Sequence, residues 1–320
     1  MTRSLELTVA DPADAGKRID ALVAERLGLF TRSQARQRIE SLELNGHATR
    51  LGRKVRLGDV VTVVCTDPPP LAIAAQDIPL SVLFENDDVL VVDKPQGMVV
   101  HPGSGNRDGT LVNALLSHCR TLGSAFGAES ARPGIVHRLD KDTSGVIIAA
   151  KNVRAHEYLA AQFKSRTARK RYLAVVKGRL PAREGKIETR LARDPRNRQR
   201  FAVVSAGGKP ALTRYRVLST FTLGGERRGD AADHYALVLC MPRTGRTHQL
   251  RVHLRHAGAW VLGDTLYGKP DPRFPGATLM LHARSLTIRI PGEAEPRLFG
   301  SPLPDRFRSV LKTLHSFSPR

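Results

Sequence analysis

Ile19, Leu22, Val23 and Leu27 recur on one helical face with Gly28 behind them, so residues 18–28 predict a helix with a defined stop. Thr31 or Ser33 can cap a second helix, SQARQRIESL, with Ala35, Ile39 and Leu42 inward and Arg32, Arg36 and Arg38 outward. Asn45-Gly46 marks a hairpin turn, and VRLGDVVTVV then alternates into a strand with its own Gly58-Asp59 turn. Three successive prolines, Pro68 to Pro70, followed by small residues, read as a stiff linker over 67–79. This separates a small αα-plus-hairpin domain, 1–66, from a large one, 80–320.

In the large domain, SVLFE and VLVVDK predict strands joined at Asn86-Asp87-Asp88, followed by a helix at LVNALLSH. GVIIAAKN reads as a buried strand, AHEYLAAQFK as an amphipathic helix, and YLAVVKG, TRYRVLST and HYALVLC as strands. PDRFRSVLKTLHS closes the chain as a helix. In TGRTHQLRVHL both periods fit, since Leu250, Val252 and Leu254 alternate while Leu250, Leu254 and Ala257 share a helical face. Strands and helices mix without a regular βα period, which predicts an α+β fold rather than a doubly wound sheet.

Charge changes the picture more than composition does. The chain has 320 residues with 51 Lys+Arg against 30 Asp+Glu, a net +21. Residues 1–70 hold 11 Lys+Arg and 9 Asp+Glu, whereas 151–220 hold 19 and 4, so the excess is concentrated in the latter segment. A single-sign block in a folded chain points to a polyanion, and the 5% aromatic content favours phosphate contacts over base stacking. No stretch approaches the roughly 18 apolar residues of a membrane span, and the N-terminus has no signal-peptide core. Cys65, Cys119 and Cys240 are odd in number and far apart, which excludes a disulfide scaffold. The expectation is a cytoplasmic, monomeric protein that does not bind membranes.

The densest chemistry lies in GIVHRLDKDTSG, where Asp140 and Asp142 stand among His137, Arg138 and Lys141. Neighbouring cations keep a carboxylate ionised, and such a carboxylate can serve as nucleophile or general base. An Asp-x-Asp-x-Thr run after an apolar strand also looks like the first motif of haloacid-dehalogenase-type phosphatases. That reading needs later acids for Mg²⁺, yet the following segment is strongly basic, and Arg138 and Lys141 oppose a dication. A second cluster, PRTGRTHQLRVHLRHAG, carries Arg243, Arg246, Arg251 and Arg255 with His248, His253 and His256. Without a cysteine or carboxylate among them, the histidines do not make a metal site, and neither metal nor cofactor is expected. Arg246, after a glycine, is placed to pair with a carboxylate or a phosphate, and Tyr172 in RKRY could stack on a base. Arg32, Arg36, Arg138, Lys170 and Arg251 are the expected contacts to that polyanion.

About residues 16–65, with the Thr-Arg-Ser-x-Ala helix start and the Asn-Gly turn, resemble the small RNA-binding domain first named from ribosomal protein S4. KPQGMVVHPG, HRLDKDTSG, RLARDPRNRQRFAVVSAGGKPALTRYRV, TGRTHQLRVHL and LHARSL together resemble the RluA/RluD family of pseudouridine synthases, in the family's order. The resemblance implies a mixed, mainly antiparallel catalytic sheet and conversion of uridine to pseudouridine in large-subunit (23S) ribosomal RNA without a cofactor. It also implies site roles: Asp140 as catalytic aspartate, Tyr172 packing on the target base, Arg246 pairing with the aspartate, Arg138 filling the vacated stack and Leu281 lining the pocket. A non-catalytic RNA-binding or ribosome-assembly protein that keeps the fold is the competing expectation.

Overall fold

The computed structural model describes residues 2–27, 39–66, 73–103, 105–127, 132–224 and 232–317. The chain divides into two units, Met1–Leu71 and Ala72–Arg320.

In the first unit a four-stranded antiparallel sheet is formed by β1 (Thr2–Thr8), β2 (Ile39–Leu44), β3 (His47–Ala48) and β4 (Val60–Thr66), in the order β1-β4-β2-β3. Helix α1 (Ile19–Leu27) buries Ile19, Leu22 and Val23 against Leu42, Leu44, Val61 and Val63. Asn45 and Gly46 both take positive φ, 55° and 77°, as the tight β2–β3 turn requires. The second helix expected through Leu42 is corrected here, because the chain is already a strand from Ile39. The alternation of Ser41-Leu42-Glu43-Leu44 lets Leu42 and Leu44 reach the core while β2 pairs along β4, and that ladder overrides helical spacing. Arg32 and Arg36 lie outside the described residues.

The second unit is built on an eleven-stranded sheet. It contains β5 (Ser81–Glu85), β6 (Val89–Lys94), β7 (Ser144–Ala150), β8 (Arg169–Gly178), β9 (Glu184–Arg193), β10 (Phe201–Val204), β11 (Lys209–Leu223), β12 (Asp233–Pro242), β13 (Ala259–Val261), β14 (Leu281–Ile288) and β15 (Arg297–Gly300). The main path runs β10-β9-β11-β12-β8-β14-β7-β6-β5. β7 and β14 pair parallel and the other pairings are antiparallel, so the fold is α+β with a mixed, mainly antiparallel sheet. At that parallel junction Gly145 has φ 116°, and a Cβ there would collide with the Ala283 carbonyl. The glycine of the Asp-rich motif thus lets the two strands close.

Helices α2 (Leu111–His118), α3 (Leu122–Phe126), α4 (Val153–Ser165), α5 (Gln249–His256) and α6 (Asp305–Ser316) pack around this sheet. TGRTHQLRVHL, open between two periods in the sequence, forms a turn and then α5. Residues 225–231 of the Gly-rich excursion lie outside the described residues. No helix among the described residues is long and apolar enough to cross a membrane.

Candidate active site

Five segments meet at one cleft of about 490 Å³: the loop before β7, the end of α4, the start of β8, the turn between β12 and α5, and the start of β14. Leu139 is 4% exposed and packs with Ile147, Ala283 and Leu111, which anchors the loop and leaves Asp140 at the cleft surface. The loop is also tied from below. Lys94, fully buried at the end of β6, donates from Nζ to the carbonyls of Pro95 (2.8 Å), Met98 (2.8 Å) and Lys141 (3.0 Å). Burial pushes its amine down to about 7, against the pull of Asp142 and Asp140. Gly97 N–H donates to the same Lys141 carbonyl.

His137 is a framework residue. Its Nε2 accepts the Ile148 N–H at 3.0 Å, its ring stacks on Phe163 at 4.6 Å, and burial pushes its pKa down to about 3. Arg138, by contrast, is exposed at the cleft. Lys170 and Tyr172, two apart on β8, share the cleft face. Burial, and then the Asp140 charge, raise the Tyr172 phenol above its ordinary range, so it stays protonated. Burial pushes the Lys170 amine down to about 8, and its Nζ donates to the Thr244 carbonyl at 3.3 Å. Leu281, 3% exposed on β14 opposite Ala174, completes an apolar part of the wall.

Gln249 locks the β12–α5 turn. Its Oε1 accepts from Thr244 Oγ1 (2.7 Å) and Arg246 N (3.0 Å), while its Nε2 donates to the Leu212 carbonyl and Thr213 Oγ1. This turn overturns the expected pairing of Arg246 with Asp140: Arg246 Nε donates to the Pro210 carbonyl at 3.1 Å. The cation beside the carboxylate is Arg251, whose Nη1 lies 3.8 Å from Asp140 Oδ2. Its role as an RNA contact is corrected as well, since Arg251 is only 8% exposed and grips Asp264 through two bonds of 2.7 and 2.8 Å. Burial opposes its charge, but the Asp264 bonds and the charges of Asp264 and Asp140 outweigh this and raise its pKa.

Asp264 is itself fixed by the N–H groups of Leu266 (3.0 Å) and Tyr267 (2.9 Å). Lys94, Gln249, Asp264 and Tyr267 were not singled out from the sequence. Only Lys94, in KPQGMVVHPG, lay in a motif upstream of the aspartate, and nothing in GDTLYG pairs Asp264 with an arginine thirteen residues earlier.

Among the described residues, the cleft lining brings Arg138, Lys164, Arg166, Lys170, Arg243 and Arg246 around a single carboxylate, Asp140. Such a cleft suits a polyanion. The histidines of the second cluster serve separate partners: His253 bonds Thr213 and Thr189, and His248 bonds Tyr267. Elsewhere Glu85, His118 and Cys119 bring possible metal-ligand atoms within 4.8 Å of one another, but the Lys151 ammonium already holds Glu85 at 2.8 Å.

Residues 88–256 match the family model described as RNA pseudouridylate synthase. The chain is 40% identical over 316 residues to ribosomal large subunit pseudouridine synthase D of Borreliella burgdorferi, covering 97% of this chain and 92% of that protein. It is 39% identical to the protein of the same name in Nitrosomonas europaea, over 98% and 88% of the two chains. Among solved structures, human RNA pseudouridylate synthase domain containing 1 superposes with a TM-score of 0.55 at 26% identity, covering 79% of this chain and 99% of that one.

Proposed function

The chain belongs to the RNA pseudouridylate synthase family, and from that premise we propose that it isomerises uridines of large-subunit ribosomal RNA, with Asp140 as the catalytic carboxylate. The observation that carries this reading is the position of Asp140 at the cleft, among cations and faced by the Arg251–Asp264 pair.

The reaction breaks the bond between uracil N1 and ribose C1′, turns the base, and joins C5 to C1′. The C5 hydrogen leaves and N1 gains one, so atoms balance without a redox partner. The target nucleotide must first leave its stack, at a cost of about a few kcal/mol. Arg138, exposed and planar, fills the gap. Tyr172 and Leu281 offer the extruded uracil a ring and an apolar wall, while Lys170 and Arg243 meet the flanking phosphates. Arg251 then orients the Asp140 carboxylate toward the sugar and base. The unit 1–71 adds an S4-like RNA contact, and the protein acts as a cytoplasmic monomer.

Because C5 loses its hydrogen, tritium released from [5-³H]uridine-labelled, deproteinised large-subunit RNA reads the reaction directly. A protein that only binds RNA releases none.

A further inference from the structure

His248 lies in the cleft wall but has no part in the mechanism so far. It precedes α5 with φ 55° and ψ 16°, a left-handed backbone that histidine adopts more readily than most side chains but that still needs support. The support comes from Tyr267. The Tyr267 hydroxyl lies 2.8 Å from His248 Nδ1 and accepts the Phe201 N–H at 2.7 Å. His248 also meets the rings of Phe201 and Tyr267 edge-on, at 5.9 and 5.5 Å.

A phenol has one hydrogen. With Phe201 N–H filling one lone pair and no other acceptor for the hydroxyl among the described residues, that hydrogen goes to Nδ1. Nδ1 is therefore bare, and the imidazole carries its proton on Nε2. Nε2 has no partner among the described residues, although the ring borders the cleft.

Resting on the proposed function, we propose that His248 is a substrate-contacting residue: a neutral imidazole, set in one tautomer by Tyr267, that donates Nε2–H to an oxygen of the nucleotide seated beside Asp140. The charged and titratable groups facing it are Asp140 and Arg138 on the catalytic loop, Arg251 on α5, and Asp264 and Tyr267 on the following turn. Burial, aided by Arg251 and Arg138, outweighs Asp140 and Asp264 and lowers its pKa. The donor is thus neutral at working pH and does not compete with Arg251 for the carboxylate.

The test pairs substitution with spectroscopy. His248→Gln places an amide N–H near the Nε2 position, and His248→Leu removes the donor while keeping bulk. Single-turnover tritium release should fall about tenfold or more for His248→Leu and recover most of that loss for His248→Gln, with RNA affinity changed little. Long-range ¹H–¹⁵N spectra of the full chain should show His248 protonated on Nε2 and bare on Nδ1. Equal rates for His248→Leu and wild type would overturn the proposal, as would a ring protonated on Nδ1. Wild-type turnover with an inert Asp140→Asn beside an unaffected His248→Leu would sink this inference and leave the proposed function standing. A wild-type chain that releases no tritium would sink the function itself.

Discussion

Arg251 Nη1 sits 3.8 Å from Asp140 Oδ2 while the same guanidinium is held by two bonds to Asp264. The carboxylate at the cleft therefore faces a cation that cannot swing away. Replacing Arg251 with Met should slow single-turnover conversion on the order of a hundredfold, the scale of losing one fixed electrostatic contact. Arg246→Met should cost less than about tenfold on the same scale, because Arg246 is bonded to Pro210. Losing Arg251 also strands buried Asp264, at about 3–5 kcal/mol, so thermal melts must accompany the kinetics. Arg251→Lys keeps the charge without the fork and should fall between. A larger defect for Arg246→Met would reverse the assignment.

Lys94 holds three carbonyls on two loops, and no neutral side chain can do so. Lys94→Met should lower the rate of conversion while RNA affinity stays within about threefold, since the amine is buried beneath the loop rather than at the cleft. Filter binding and tritium release on the same preparation separate the two effects. A variant that binds weakly but turns over normally would contradict this role.

Acid should weaken the fold through buried histidines. His253 and His282 are both fully buried, and burial pushes each from 6.5 down to about 4. Between those values the unfolded chain takes up protons that the native rings refuse. Their contribution is therefore complete above about 6.5 and lost as pH falls toward about 4, at up to about 1.4 kcal/mol per pH unit for each ring. Urea midpoints should drop between about pH 7.5 and about pH 5, with both rings still neutral by NMR in the folded protein. Rings that titrate near their ordinary value while the protein stays folded would refute this.

Arg196 and Arg198, exposed on the connection between β9 and β10, belong to the basic segment 151–220. Changing both to Gln should reduce the log–log salt slope of RNA binding by about 0.7 to 0.9 for each phosphate contact removed. An unchanged slope would move the RNA path elsewhere.

The sequence made most local elements readable. Leu111–His118 forms the helix expected from LVNALLSH, and Asn45-Gly46 forms its turn. β1 carries a strand signal too, in the alternation Ser4-Leu5-Glu6-Leu7, although the expected αα-plus-hairpin unit has no strand there. Ile39 and Leu42 fit both a helix and a strand, and only pairing with β4 decides between them. The site was legible to the level of its segments, not its pairings. Arg246 and Arg251 stand on the same run with nearly the same neighbours. Which of them faces Asp140 depends on the turn that Gln249 closes and on Asp264, a partner the local motif does not contain.

In the proposed function Asp140 performs the isomerisation while the basic cleft holds the RNA. The most direct measurement compares wild type and Asp140→Asn in tritium release from [5-³H]uridine-labelled large-subunit RNA, with RNA binding measured alongside. The wild type should release tritium and the variant none, at affinities within about threefold of each other, since Asp140 is the lone acid among the described residues lining a cationic cleft. Release by Asp140→Asn at the wild-type rate would contradict it.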